Sequence, residues 1–367
     1  MLFHQDAKLM LDERASLEAA DNLRTTGLYH SQLDFIAYGL ECVRPPLVTF
    51  LLVIAENVGI HSVTEMRLGF AVICGLLPIP LFFTARGLGS SFRLSAVLGA
   101  LCSLHPFMIL VSSRLLTEGL FALLLSATFA LVFHWRSSTG WKLPVLTGII
   151  LGLTCLCRPT ALVLIPVLPI VWLFFSTGRY RAFGLVSALC ALVTIAPWEV
   201  FVYHEYCCWV PITTSGSYNL WNVSNSQRGD MTTTLPEDMK EKLSAMTERE
   251  RVRYFRQESM NWIHSHRAEF WDIRRQNFLR FWKLWPADFW NRKIAFRQAY
   301  GVAPVHPYAI ALAKVLWFIT VDGLLILSLV GLFLYVRKYP AEMLSFAGCI
   351  LGATALHTLM TSGDRYR

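Results

Sequence analysis

A carboxylate can take a proton from a hydroxyl, and a guanidinium can hold a phosphate through paired hydrogen bonds without losing its charge. The chain carries both early. Asp12 and Glu13 adjoin in "LDERASLEAADNLRTTG" (11–27), and Arg44 opens "RPPL" (44–47). Arg114 and Glu118 stand four residues apart, the spacing of neighbours on one helical face. Arg158 interrupts an apolar stretch, and Arg365 lies in "SGDRYR" (362–367). Each also has a structural reading. Asp12 fits a helix N-cap or a solvated helix face. Arg114 and Glu118 fit a structural pair, and Arg44, Arg158 and Arg365 fit interfacial arginines with buried stems. His264-Ser-His266 lies in a basic, aromatic stretch, and Cys155-Leu-Cys157 has neither the spacing nor the partners of a zinc site. No metal is assigned and no cofactor is predicted; a divalent-ion requirement stays open. Cys42, Cys207 and Cys208 could pair, in an order that sequence does not fix.

The elements that must position these groups are apolar. Of 367 residues, 54% are hydrophobic and 16% charged, against about 25% charged in soluble domains. Runs near the length needed to cross a ~30 Å hydrocarbon core occur at 68–85, 94–112, 119–135, 142–157, 159–175, 182–198, 310–335 and 341–360. They predict an all-α polytopic membrane protein. The fourth and fifth runs form one block split by Arg158-Pro159, because an unbroken helix would strand an arginine in lipid and a proline in its interior. "PPLVTFLLVIAENVGI" (45–60) is too short to span and is expected at the interface.

Arg86 and Arg93, Arg136 and Lys142, Arg179 and Arg181, and Arg337 and Lys338 fall in alternate short loops without acids. The positive-inside rule places those loops in the cytoplasm. The organisation expected is then an outer first loop with interfacial helices (1–66), six spans (67–198), a long outer loop with an amphipathic helix (199–309), two spans (310–361) and an outer tail (362–367). No apolar segment precedes the first loop, so a further span ahead of residue 1 is expected. The charge of +8, once these anchors are assigned, fits lipid headgroups or a phosphate-bearing substrate, with no nucleic acid.

In the long loop, "VPITTSGSYNLWNVSNSQRGD" (210–230) reads as turn-rich, and Asn222-Val-Ser224 matches a glycosylation triplet. "RERVRYFRQESMNWIHSHRAEFWDIRRQNFLRFWKLW" (249–285) reads as an interfacial helix, from aromatic residues spaced by three and four. Among ionisable residues of the later spans, Asp322 stands mid-run, Lys314 and Glu342 nearer the ends, and His357 in the last run. A transporter would need more of them along a path, with an internal repeat.

Six ordered stretches resemble one family. They are "LDERASLEAADNLRTTG", "RPPL", "HPFMILVSSRLLTEGLFALLL" (105–125), "GLTCLCRPTALVLIP" (152–166), "APWEVFVYHEYCCWVPITTSGSYNLW" (196–221) and "SGDRYR". They are similar to the dolichyl-phosphate-mannose–protein mannosyltransferases and aminoarabinose–lipid A transferases of the glycosyltransferase C superfamily. Departures include Arg14, Ala15 and Ser16 where an aromatic residue often stands, and Arg44 where lysine is usual. The resemblance implies a GT-C-like transmembrane helix bundle in the cell membrane, the plasma membrane in bacteria, with its site on the extracytoplasmic face. It implies inverting transfer of a sugar from a polyprenyl-phosphate donor to a protein, lipid or glycan acceptor.

Carried over by motif, Asp12 is the general base, with Glu13 beside it and Glu118 as a further acid. Arg44, Arg158 and Arg365 hold the donor phosphate, and Tyr218, Asn219 and Trp221 line the acceptor or lipid site. The alternatives are a transporter or flippase of a lipid-linked substrate, and a non-catalytic truncated remnant.

Overall fold

The computed structural model describes residues 9–103, 106–137, 140–224, 235, 237–282, 315 and 323–360. Those residues form helices and connections, with no strand among them. Helices α1 (Leu11–Thr26), α2 (Gln32–Tyr38) and α3 (Pro46–Asn57) build the first segment. Gly27 and Gly39 end α1 and α2 in the left-handed region, at φ 77° and 66°, where glycine carries no Cβ penalty. Next come α4 (Val63–Cys74), α5 (Pro78–Gly87), α6 (Phe92–Ser103), α7 (Pro106–Ser112) and α8 (Thr117–His134). Then follow α9 (Lys142–Cys157), α10 (Leu164–Phe175) and α11 (Tyr180–Tyr206). The chain continues as α12 (Ser215–Ser224), α13 (Glu237–Ser244), α14 (Glu248–Ser265), α15 (Arg267–Phe281), α16 (Gly323–Tyr335) and α17 (Pro340–Met360).

Among the described residues, four helical stretches are long and apolar enough to cross a membrane: Val63–Gly87, Thr117–Ser137, Tyr180–Tyr206 and Pro340–Leu359. Shorter apolar helices, α9 among them, accompany these. The chain is therefore an α-helical protein of membrane-associated type. The reversal expected at Arg158-Pro159 is present. Arg158 is extended (φ −155°, ψ 118°), as a residue before proline favours, and a short 3₁₀ turn, Pro159–Val163, leads into α10.

Several expected boundaries move. The run expected to end at 198 continues to Tyr206 with Pro197 inside the helix. The turn-rich stretch after it forms α12, because Tyr218 and Trp221, three apart, both pack on Phe255. The long helix expected across 249–285 breaks at His266 (φ −127°, ψ 43°), giving α14 and α15. Its polar face is not wholly solvated, since Arg251 and Arg274 are buried.

Close helix packing rests on small residues. Gly148 and Gly152 form a G-x-x-x-G pair on α9 that faces α11; a Cβ on Gly148 would lie 2.5 Å from the Ser187 carbonyl oxygen. Gly184 meets α10 equally tightly, 2.5 Å from the Leu168 carbonyl oxygen. Such approaches gain dispersion contacts that larger residues would forbid. Three buried threonine hydroxyls are satisfied locally: Thr128, Thr147 and Thr154 donate to carbonyls one turn back. Trp135 Nε1 donates to Thr147 Oγ1 at 3.0 Å, and Ser187 Oγ donates to the Pro144 carbonyl at 2.7 Å.

Gly148→Val should lower the melting temperature in detergent, by an amount matching the ~1–3 kcal/mol of an overpacked core. Gly216→Ala, where a Cβ meets nothing within 4 Å, should leave it unchanged or raise it slightly. Differential scanning fluorimetry of both variants checks this.

Candidate active site

Charged groups concentrate at one end of the bundle. Glu13 is fully buried there. Its Oε1 accepts from Arg67 Nε at 2.9 Å and the Leu115 N–H at 3.1 Å. Its Oε2 accepts from Arg67 Nη2 at 2.7 Å and the Met10 N–H at 3.0 Å. Arg114 Nη1 lies 3.6 Å from the same oxygen. Burial alone would push this carboxyl up; the Arg67 fork and the two backbone donors overcome that and hold it below the ordinary glutamate range. Expected beside the base, Glu13 is instead a clamp joining α1 to α4 and to the turn before α8.

Asp12 lies one residue away, about 100° around the helix. Its Oδ1 accepts from Arg44 Nη1 at 2.7 Å, and both side chains keep some exposure, 17% and 15%. Arg44 is held from behind by Asp34, which is fully buried. Arg44 Nε lies 3.0 Å from each Asp34 oxygen, and Nη2 is 2.7 Å from Oδ1. Burial pushes the Asp34 carboxyl up, against the pull of Arg44. The Tyr38 ring lies 5.7 Å from the guanidinium carbon. Proline fixes the backbone just after it: Pro45 has φ −64° and ψ 140°, and α3 begins at Pro46.

Asp34 owes its place to a chain of caps. Its N–H donates to Ser31 Oγ at 3.2 Å, and Ser31 Oγ donates to Glu18 Oε2 at 2.6 Å. The Leu33 N–H reaches the same Glu18 oxygen at 3.1 Å. The capping signature was legible in "SQLD" (31–34), but no local pattern indicated that the capped acid would grip Arg44. Arg67, 54 residues from Glu13, left no signal either.

A second pair assembles at this end. Arg158 Nη2 lies 3.5 Å from Glu118 Oε1, with the Phe121 ring 5.8 Å from the guanidinium carbon. The structural alternative for Glu118 paired it with Arg114. Arg114 instead occupies the turn before α8, which starts at Thr117, so the two do not share a helical face. Cys157 belongs to the buried cluster that also holds Leu17, Ala20 and Leu115, and its thiol donates to the Thr117 carbonyl at 3.5 Å.

Tyr218 and Trp221, expected to line a ligand site, are buried with Leu40, Leu243 and Phe255, while Asn219 is half-buried. Tyr218 reaches the charged cluster through Tyr38, at 5.3 Å between rings. Asn222 is buried, so the glycosylation triplet is closed to modification in the folded chain. Arg365, Asp322 and Lys314 lie outside the described residues. Cys42, Cys207 and Cys208 are free thiols. His266 stacks on Trp262 at 4.8 Å, and among the described residues no group of three or more His, Cys, Asp or Glu could hold a metal.

The segment after α11 and helix α14 are tied to this cluster through residues 41–42. Glu248, at the start of α14, accepts the N–H of Glu41 (3.1 Å) and of Cys42 (3.3 Å). Arg251 Nη1 donates to Glu41 Oε1 at 2.7 Å. Thr214 returns to the Cys42 carbonyl through both its N–H and its hydroxyl, each at 2.9 Å.

Comparison of the chain with family models, with curated proteins and with solved structures finds no match. The chemistry is therefore read from the cluster itself.

Glu13 titrates lower folded than unfolded, so its contribution is present above the ordinary value of 4.5 and lost as pH falls through the lower folded one. Glu13→Gln should cost roughly 3–5 kcal/mol at pH 7, the cost of breaking a buried ion pair. The deficit should shrink in acid, where the parent loses the same interaction. Thermal melts from pH 7 to well below the ordinary value of 4.5 measure it.

Proposed function

We propose that the chain is an inverting membrane glycosyltransferase that moves a sugar from a polyprenyl-phosphate donor to a hydroxyl-bearing acceptor. The observation that carries this reading is the 2.7 Å contact between Asp12 and Arg44. It joins a partly exposed carboxylate to a partly exposed guanidinium whose far side is fixed by buried Asp34. A base and an anion holder side by side are what displacement at a phosphorylated anomeric carbon needs.

In this reading Asp12 takes the proton of the acceptor hydroxyl. The acceptor oxygen forms the new bond to C1 from the face opposite the phosphate. The C1–O bond to phosphate breaks and its electron pair leaves on the lipid phosphate. Arg44 meets that charge, with Arg158 as a second cation at the same end of the bundle. As the guanidinium turns toward phosphate, Asp12 gives up its contact with Arg44 and takes the proton in its place. Arg365 would join them from the tail. Glu13 stays ionised and bonded throughout. One displacement inverts the anomeric configuration.

The reading includes the eight-span topology, with the charged end extracytoplasmic. The helix ends support it. Glu13, Arg44, Glu118 and Arg158 gather at one end, whereas Arg136, which pairs with Glu342 at 2.6 Å, lies in a loop expected on the other side. The acceptor class, whether protein, lipid or glycan, belongs to the proposal without choice among them.

Asp12→Asn should reduce transfer by at least two orders of magnitude, the ordinary scale of general-base catalysis, with membrane insertion unchanged. Arg44→Lys should raise the donor KM, because an ammonium cannot replace the fork. Membrane fractions assayed with a panel of polyprenyl-phosphate sugars read both. Turnover retained in Asp12→Asn removes Asp12 as the base.

A further inference from the structure

The end of the bundle opposite the charged cluster holds a feature that the transfer reading does not use. An apolar groove of about 240 Å³ opens between α5, α8, α16 and α17. Phe133, Gly331, Leu332, Tyr335, Met343 and Phe346 are among its walls. Helix α16 stands away from its neighbours here. A Cβ on Gly331 would meet nothing within 4 Å. Elsewhere on α17 glycines are closed tightly: a Cβ on Gly348 would lie 2.6 Å from Val167, and Gly352 is pressed against Val163.

The groove lies beside helix ends of one charge. Arg86, two residues before the groove residue Leu88, is exposed, as are Arg136 and the Arg337–Lys338 pair that follows Tyr335. Contacts between these ends hold them at one level. The Tyr339 hydroxyl lies 3.6 Å from a Cβ built on Gly89, Tyr335 stacks on Tyr339 at 6.2 Å, and Arg136 pairs with Glu342. Glu342, next to the groove residue Met343, is buried and paired with Arg136, so Arg86, Arg337 and Lys338 give this side of the groove a net positive charge.

Apolar walls in a membrane-associated bundle do not hold water, and an empty groove forfeits dispersion contacts along its lining. We propose that this groove is a binding site for one acyl chain of an anionic phospholipid of the surrounding bilayer, with the phosphate held by Arg86, Arg337 and Lys338. The apolar lining selects the chain. The basic rim selects the headgroup. The inference rests on the membrane-associated fold and not on the transfer reaction.

The test uses the full chain purified in detergent, titrated with phosphatidylglycerol or phosphatidylcholine of the same acyl composition and read by native mass spectrometry. Phosphatidylglycerol should bind more tightly. Arg337→Gln with Lys338→Gln should weaken it by roughly fivefold per charge removed, with phosphatidylcholine, whose choline offsets its phosphate charge, weakened less. Gly331→Leu should fill the groove and abolish retention, with an unchanged melting temperature. If Gly331→Leu alters melting, Leu332→Trp, which fills the groove from the next position, decides. Equal affinity for the two lipids, or phosphatidylglycerol retained undiminished in a folded groove-filling variant, overturns the proposal.

Discussion

Taking a carboxylate out of water costs several kcal/mol unless its lone pairs are met by donors and its charge by a cation. Glu13 is out of water, and both conditions are fulfilled. Arg67 supplies charge and two hydrogen bonds, while the Leu115 and Met10 N–H groups occupy further lone pairs. Because the donors come from α4 and from the turn before α8, the ion also fixes where α1 can sit. The position of Asp12 follows from that, as does the reach of Glu18 to the cap of α2 and hence the grip of Asp34 on Arg44. Remove the clamp, and the carboxylate–guanidinium contact loses its frame.

The bundle beneath obeys a different economy. With apolar surroundings inside and out, hydrophobic burial does little to bring helices together, and contact geometry decides. The G-x-x-x-G pair on α9 and Gly184 on α11 therefore matter more than any large side chain. Buried threonines turn their hydroxyls onto their own helix, and two of the buried tryptophans give their N–H to Thr147 and Ser345. These polar groups are tolerated because each has a partner close at hand.

Much of this was legible because hydropathy and proline act locally. The boundaries of α9, the break at Arg158-Pro159 and the apolar segment 119–135 could be read directly. So could the acid pair at Asp12-Glu13, although its two members take different roles. The misses share one cause: the deciding partner is remote in sequence. Ser215–Ser224 looks like a loop until Phe255 is placed against it. Glu118 looks like a partner of Arg114 until the turn before α8 parts them and Arg158 arrives from 40 residues away. Asp34 looks like a capped helix acid until Arg44 folds back onto it.

The bonds from Glu248 and Arg251 to residues 41 and 42 make α14 a lever as well as a cover. Glu41 and Cys42 stand two and three positions ahead of Arg44, with the rigid Pro45–Pro46 step just beyond. A tilt of α14 would therefore act on Arg44 through only a few residues of backbone. Anything that presses on α14 has a short mechanical line to the contact between Arg44 and Asp12.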